Sequence, residues 1–356
     1  MNIFKRLYDR VLIQGLSGMA LGLFSTLLIG TIIEQVGIFI DGTIGNYIVV
    51  VAAIAKTLTG AGIGVGVAAK FKESPLVTAS ASVAGLTGAF ASQIIAGTFV
   101  SGGTITLGAP GEPLGAFVAA YIACTVGELI SGKTSIDIIL TPTITIGFGA
   151  AAGILLGRPI ATFMTKIGEI INWGVEKQPL VMGIVVSLLM GIALTLPISS
   201  AAIGISLKLS GLAAGAATIG CCANMIGFAV ASFKENKFGG FIAQGIGTSM
   251  IQMPNIIKKP VIWLPAIVSS ALLGPVSTCL LKMTSNAKGA GMGTCGFVGQ
   301  IMTYETMTSQ GISSNIVIIQ IVIMHFLLPG VVALVVSQFL RKKGIIKDGD
   351  MKIEVN

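Results

Sequence analysis

The side chains best suited to chemistry lie in the segment GIGTSMIQMPNIIKKPVIWLP, residues 245–265. This segment interrupts a long apolar run with hydroxyl and amide side chains, three prolines and the adjacent pair Lys258 and Lys259. Hydroxyls and amides exchange hydrogen bonds with a neutral polyol or sugar without burying a charge. The two lysines are expected to reach lipid headgroups, with contact to an anionic solute as the alternative. The pattern indicates a binding site for a hydrophilic solute.

Other reactive side chains give weaker signals. His325, the single histidine, lies in the apolar stretch IVIMHFLLPG and is interpreted either as a ligand-binding group or as a histidine packed against a polar partner. The carboxylates Glu112, Glu128 and Glu305 each lie near the end of an apolar run, which disfavours a proton- or sodium-coupled secondary transporter. The five cysteines are odd in number and lack metal-ligand spacing. No catalytic residue, metal site or cofactor is predicted.

The amino-acid composition indicates that membrane-spanning elements position the solute site. Of the 356 residues, 53% are hydrophobic and 10% are charged, and the mean hydropathy is +0.93. The apolar runs are long enough to cross a bilayer at about 20 helical residues per crossing. The backbone N–H and C=O groups at an open strand edge find no hydrogen-bond partners in lipid. The predicted fold is therefore an all-α polytopic membrane protein.

Charge-poor runs delimit the predicted spans. They lie at roughly 11–33, 47–69, 76–100, 113–131, 137–157, 180–203, 209–233, 261–282 and 312–340. With less regular pieces, they predict about eight to ten transmembrane helices. Arg158 to Gln178 mixes charged and apolar residues at helical spacing, which is typical of an interfacial amphipathic helix. The glycine-rich stretches GAGIGVGVAA (60–69) and GLAAGAATIG (211–220) are interpreted as helix-packing faces, not nucleotide loops.

The net charge of +8 is concentrated at the ends of the apolar runs. Basic residues before the first span and after the last place both termini in the cytoplasm. The positive charge is therefore explained by the lipid bilayer, and no nucleic-acid partner is expected.

Three segments are too polar or too broken for simple spans: 101–113, 194–204 and 238–260. Non-helical backbone at membrane depth is tolerated where it lines a cavity or is buried in protein. Extramembrane loops are the alternative interpretation for each segment.

The order of these motifs resembles the IIC membrane component of the bacterial sugar phosphotransferase system, in the fructose branch of the glucose superfamily. GRPIATFMTKIGEIINWGVEKQPLVMGIVVSLLMGIALTLPISSAAIG (157–204) resembles a segment in which a Gly-x-Pro ends one helix, an amphipathic piece follows and the next helix leads to a Gly-Pro-x-Asn-Lys-Ala-Ala turn. GIGTSMIQMPNIIKKPVIWLPAIVSSALLGPVS (245–277) resembles the Ile-Thr-Glu hairpin with its following Pro and return helix, and KFKESPLVTASASVAGLTGAFAS (70–92) is similar to an N-terminal helix pair. The chain also resembles the small stand-alone group that includes the perfringolysin O regulator.

The chain departs from the family pattern at three places. Gln252 stands where sugar-translocating relatives carry a glutamate that contacts the sugar, and an amide cannot act as a general base near neutral pH. Ser199 and Ser200 replace an Asn-Lys pair, and the stretch 284–297 lacks the histidine of a Pro-His-Gly-Gly turn. Solute recognition is expected to survive these changes better than phosphoryl transfer.

The resemblance implies a scaffold half at 1–157, an interfacial helix at 158–179, a transport half at 180–340 with two re-entrant hairpins near 194–210 and 238–260, and a cytoplasmic tail at 341–356. It also implies a homodimer in the bacterial cell (inner) membrane. Seven residues are predicted to line the solute site: Ser199, Ser200, Asn224, Thr248, Ser249, Gln252 and Asn255.

Two functions remain open at this point. The first is a sugar permease component that binds a neutral carbohydrate and passes it inward, with separate IIA and IIB phosphocarrier proteins if the sugar is phosphorylated. In that case the complex would be a protein-phosphohistidine-sugar phosphotransferase. The alternative is a IIC-derived membrane sensor or regulator, for example of toxin gene expression, that works without phosphotransfer.

Overall fold

The computed structural model describes residues 9–40, 42–101, 103–105, 111–175 and 178–353. The α-helices in chain order are α1 (Leu16–Leu23), α2 (Ile29–Ile40), α3 (Gly42–Thr57), α4 (Thr59–Phe71), α5 (Pro75–Ala89), α6 (Ala91–Ile95), α7 (Pro113–Ile130), α8 (Asp137–Val175), α9 (Pro179–Thr195), α10 (Ser200–Ser206), α11 (Gly211–Ala231), α12 (Phe233–Ile242), α13 (Met253–Lys258), α14 (Leu264–Pro275), α15 (Ala287–Ala290), α16 (Val298–Ser309), α17 (Ser314–Ile321) and α18 (Leu328–Lys342). A small antiparallel hairpin pairs β1 (Val100–Ser101) with β2 (Thr104–Ile105).

The structure confirms an all-α polytopic membrane protein. In the described part of the chain, six helical stretches are long and apolar enough to cross a membrane, and a seventh is added if α3 and α4, bent by 54° at Leu58, form one span. This count is below the eight to ten that the apolar runs predict. One reason is that the apolar helix α9, at 17 residues, is shorter than a full crossing.

The chain divides into two compact units, Met1–Met164 and Thr165–Asn356. Within the first unit, helices approach closely where both partners carry small residues. Gly22 on α1 lies against the backbone of Gly62 on α4, and Gly88 on α5 lies against the Gly115 carbonyl on α7. A side chain at either position would separate the helices, so packing explains these glycines.

The second unit is built around α11, which is buried along almost its whole length. Helices α9, α14 and α18 pack around it. Gly220 on α11 lies directly against the main-chain carbonyl of Ser187 on α9. This close contact fixes the position of Asn224, one turn further along α11.

Helix α8 is longer than the predicted span at 137–157, because it continues without a break to Val175. The segment predicted as a separate interfacial helix, 158–179, therefore begins as an extension of α8, and residues 176 and 177 lie outside the described part. Pro159 falls within the helix and does not end it. The position of this segment at the membrane interface stays a prediction, as do the scaffold and transport roles of the two halves.

Candidate functional site

A short 3-10 turn, Ser249–Gln252, lies at the centre of the second predicted hairpin. Thr248 adopts extended backbone and its hydroxyl oxygen accepts a hydrogen bond from the Met250 N–H, which caps the turn. The turn follows a π-helical segment, Ala243–Gly247, and leads directly into α13. Ser249 and Gln252, at its two ends, are fully buried and take part in two different hydrogen-bond networks.

The first network joins the second hairpin to α9 and α11. Thr195 Oγ1 at the end of α9 lies 2.7 Å from Ser249 Oγ and 3.1 Å from Asn224 Oδ1. Thr195 has one hydroxyl proton, so when it donates to Asn224 the Ser249 hydroxyl donates to Thr195. The predicted site residues Asn224 and Ser249 are thus connected through a residue that the sequence did not single out.

Asn224 uses its full hydrogen-bonding capacity in this network. Its Nδ2 donates to the Gly220 carbonyl and to Ser270 Oγ, each at 3.1 Å. Its Oδ1 also accepts from Trp263 Nε1 at 2.8 Å. Such saturation is expected of a buried amide in apolar surroundings. A solute that bonds to Asn224 must therefore displace one of these protein partners.

The second network surrounds Gln252. Gln252 Nε2 donates to Gln244 Oε1 at 2.8 Å and to the main-chain carbonyl of Met351 at 2.9 Å. Its Oε1 accepts from Asn255 Nδ2 at 2.9 Å, and the same nitrogen donates to the carbonyl of Lys352 at 2.9 Å. Gln252 and Asn255, both predicted site residues, are adjacent in this network. Both bond to the C-terminal segment.

The first predicted hairpin, near 194–210, begins at the first network through Thr195, and Ser200 bonds elsewhere. Ser200, at the start of α10, donates from Oγ to the Gly291 carbonyl at 2.6 Å. Ser199 precedes it, and its main-chain carbonyl accepts from the Ile203 N–H at 3.1 Å. Ser200 therefore ties the first hairpin to the loop that follows α15, within the stretch 284–297.

The two lysines of the hairpin have different surroundings. Lys258 is exposed, whereas Lys259 Nζ forms an ion pair with Asp350 Oδ2 at 2.6 Å. Burial acts to raise the pKa of Asp350, but hydrogen bonds from Lys259 and from the Lys347 N–H outweigh it and leave the pKa lowered. Lys259 thus has a protein partner in addition to any lipid contact.

His325 is buried, and its Nδ1 lies 2.9 Å from Gln300 Nε2. Gln300 Nε2 also lies 3.5 Å from Cys222 Sγ. This arrangement matches the interpretation of a histidine packed against a polar partner. The sequence did not identify Gln300, because a single glutamine gives no spacing signal.

In the described part of the chain, neither network contains a carboxylate. Amide and hydroxyl groups donate and accept hydrogen bonds, but they do not remove protons near neutral pH. The arrangement suits recognition of hydroxyl groups on a neutral solute. Proton abstraction would require a base from elsewhere.

A protein-family model described as Phosphotransferase system, EIIC matches residues 13–353 of the chain. The match therefore spans both compact units. A comparison with curated proteins gives no match.

Proposed function

The chain belongs to the EIIC family of the phosphotransferase system, and on that premise we propose that it binds a neutral carbohydrate at the second hairpin and passes it inward. Family membership supports a sugar permease component within a multi-pass membrane protein. The class of solute and the residues that bind it are our own proposals beyond family membership.

One observation carries this proposal. The buried turn Ser249–Gln252 places a hydroxyl and an amide at its two ends, and each belongs to a network made of uncharged polar groups. Several buried polar groups lie this close together in a protein either because they all bond to one another or because they exchange partners with a ligand. A sugar hydroxyl both donates and accepts, so it can replace any of these partners.

We assign the predicted residues to this site in two groups. Asn224, Thr248 and Ser249 belong to the side of the turn that faces α9 and α11, whereas Gln252 and Asn255 belong to the opposite side. Ser199 and Ser200 lie further along the first hairpin, and we propose that they join the site through an elevator-type shift of a homodimer.

Phosphorylation of the bound sugar would need separate IIA and IIB phosphocarriers. It would also need a base other than Gln252 to accept the proton of the attacking hydroxyl, because a carboxamide cannot accept it near neutral pH. The proposal therefore separates binding from phosphotransfer. We place the protein in the bacterial cell membrane with both termini in the cytoplasm, where such carriers would dock.

A membrane sensor or regulator is the second candidate. It is favoured by the amide in place of a carboxylate at position 252 and by the bonds that join Gln252 to the C-terminal segment. In this function the bound solute changes the conformation of the cytoplasmic surface that a partner protein contacts, and no phosphoryl group is transferred.

A thermal-shift screen of the purified full-length protein tests the binding proposal. The probes are hexoses, hexitols and disaccharides, with amino acids as a control class. A reproducible stabilisation by one carbohydrate class supports the proposal, because a ligand that binds the folded state raises the unfolding temperature. Stabilisation by amino acids alone would contradict it.

A further inference from the structure

The C-terminal segment after α18 folds back onto the second hairpin. Ile346 and Met351 are buried in an apolar cluster with Phe228 of α11 and with Met253 and Ile256 of α13. Met351 is fully buried. We call residues 345–353 the tail.

Side-chain amides bind the main chain of the tail. The Met351 carbonyl accepts from Gln252 Nε2 at 2.9 Å and from Asn236 Nδ2 at 2.8 Å. The Ile353 N–H donates to Asn236 Oδ1 at 2.8 Å. Together with the bond from Asn255 to Lys352, these contacts bind the tail much as a peptide is bound, with amides on its backbone and two buried apolar side chains.

Ion pairs add a second kind of contact. Asp350 pairs with Lys259, and Asp348 pairs with Lys234 at 2.6 Å and with Arg341 at 3.1 Å. The side chains of Lys234 and Asp348 are about two-thirds exposed, at 68% and 67%. Exposed pairs of this kind contribute little and are screened by salt. The tail is therefore held mainly by the burial of Ile346 and Met351 and by the amide hydrogen bonds to its main chain, while the exposed ion pair can be exchanged with water.

We propose that the tail is a displaceable occupant of the second hairpin, which must leave before Gln252 and Asn255 can bind solute. The tail would thereby couple solute binding to the cytoplasmic end of the chain. This inference rests on the proposed function, because it concerns regulation of the same site.

Competition follows from the hydrogen-bond capacity of the two amides. Both protons of Gln252 Nε2 are used, one on Gln244 and one on the Met351 carbonyl. A solute oxygen that accepts from Gln252 must replace one of these acceptors. Met351 is the partner on the tail, and because 345–353 contains no helix, the tail can separate as a unit without breaking one. The apparent solute affinity would then equal the intrinsic affinity multiplied by the fraction of molecules in which the tail is released.

Hydrogen exchange of the full-length protein tests the tail directly. Exchange of the amides in 345–353 is compared with exchange in α11, as a reference for global unfolding. The variants are Lys259→Glu, which places two negative charges together, and the charge swap Lys259→Glu/Asp350→Lys. Lys258→Glu is the matched control, because it makes the same charge change at the adjacent, exposed position.

We expect tail exchange to be faster than α11 exchange in the unaltered chain. It should rise further in Lys259→Glu, by roughly tenfold when an ion pair becomes a like-charge pair. Lys258→Glu should behave like the unaltered chain, and the charge swap should recover the part of the protection that the ion pair supplies, because Asp350→Lys also removes the acceptor of the Lys347 N–H. Tail amides that exchange as slowly as α11 in Lys259→Glu would overturn the inference, because the tail would then open only on global unfolding.

The second arm adds the carbohydrate that stabilises the protein in the thermal-shift screen. Faster tail exchange on addition of the sugar, and tighter sugar binding by Lys259→Glu, support the inference. Measurable sugar binding with unchanged or slower tail exchange overturns it. If no carbohydrate binds to any variant, including Lys259→Glu with its more readily opened tail, then the proposed function fails. The exchange data without sugar still decide whether the tail opens.

Discussion

The indole nitrogen of Trp263 donates a hydrogen bond to Asn224 Oδ1 at 2.8 Å. Trp263 belongs to the 3-10 turn Pro260–Trp263 that begins the return helix of the second hairpin, whereas Asn224 lies in the middle of α11. The bond therefore fixes the hairpin to the most buried helix of the second unit.

Replacing Trp263 by Phe should weaken this attachment. The substitution removes the donor and keeps an aromatic ring, so we expect a loss of about 1 kcal/mol in unfolding free energy, measured by thermal unfolding in detergent. A double-mutant cycle with Asn224→Leu isolates the bond from the lost ring area. If Trp263→Phe has the same effect in both backgrounds, the hydrogen bond contributes nothing to stability.

Removing the amide of Gln252 tests its contact with solute. Gln252→Ala should weaken carbohydrate binding by about 1–3 kcal/mol, the usual effect of losing a buried partner. The same substitution also removes an anchor of the tail, which acts in the opposite direction. The measurement is therefore made by titration in the Lys259→Glu background, where the tail is expected to open more readily, and tail exchange is followed in both variants. Unchanged affinity in that background would exclude Gln252 from the site.

Gln252→Glu tests whether the two amide protons of Gln252 hold the tail in place. Gln252 Nε2 donates to two carbonyl oxygens, so a carboxylate there would face both without a proton to offer. We expect faster tail exchange and lower stability at neutral pH, with partial recovery in acid, where the introduced carboxyl is protonated. Gln310→Glu is the control, because Gln310 is exposed and accepts a hydrogen bond from Thr284, which a carboxylate can also do.

The same variant separates the two candidate functions. Gain of sugar phosphorylation by Gln252→Glu in the presence of IIA and IIB carriers would identify a permease that lacks its base. Continued absence of phosphorylation, with sugar binding retained, would favour the sensor. Loss of binding together with loss of folding would be recognised from the thermal unfolding profile.

The membrane helices could be predicted because lipid imposes a strong rule on the sequence. The run predicted at 113–131 forms a helix at Pro113–Ile130, and the run at 209–233 forms one at Gly211–Ala231. Breaks were predictable as well, since α9 ends at Thr195, two residues before Pro197. Hydrophobic length and proline position are local properties that need no knowledge of partners.

The contacts of the candidate site could not be predicted in the same way. Thr195 and Ser270 lie in apolar runs and resemble ordinary helix-packing hydroxyls until α9, α11 and α14 are placed side by side. The sequence predicts a cytoplasmic segment at 341–356 and gives no sign of its docking site. Its attachment depends on main-chain carbonyls of Met351 and Lys352, which carry no side-chain signature.

Close packing of α9 on α11 can be tested at Gly220. A methyl group at this position would meet the Ser187 carbonyl, and backbone cannot move as easily as a side chain. We expect Gly220→Ala to destabilise the protein by roughly 1–3 kcal/mol, measured by thermal unfolding. Gly239→Ala on α12 is the matched control, because nothing lies within 4 Å of the position that its methyl group would take. Equal stability of the two variants would contradict the observed helix contact.

A charged cluster in the first unit predicts how stability depends on pH. Glu73 lies in the turn between α4 and α5, with its side chain 5% exposed, and Arg10 Nη2 lies 3.5 Å from its Oε1. Arg10 also pairs with Glu128 at 2.5 Å and lies over the ring of Phe71. Burial raises the pKa of Glu73 to about 7, the charge of Glu128 acts in the same direction, and Arg10 opposes both effects.

The sign follows from proton uptake. The folded state holds a proton on Glu73 up to about pH 7, whereas the unfolded chain releases it near the ordinary glutamate pKa of 4.5. Between these two values the folded state binds more protons, so stability falls as pH rises through this window and changes little above it. We expect a loss of roughly 1–3 kcal/mol from about pH 5 to 8, measured by thermal unfolding in detergent.

Two variants make this pH dependence specific. Glu73→Gln keeps the shape of the protonated carboxyl and should remove most of the dependence. Glu128→Gln removes the neighbouring negative charge, so the pKa of Glu73 should fall and the loss of stability should occur over a narrower window at lower pH. A pH profile that is the same in Glu73→Gln and in the unaltered chain would assign the effect to other groups. A shift toward higher pH in Glu128→Gln would contradict the electrostatic relationship between the two carboxylates, because removing a like charge can only favour ionisation of the one that remains.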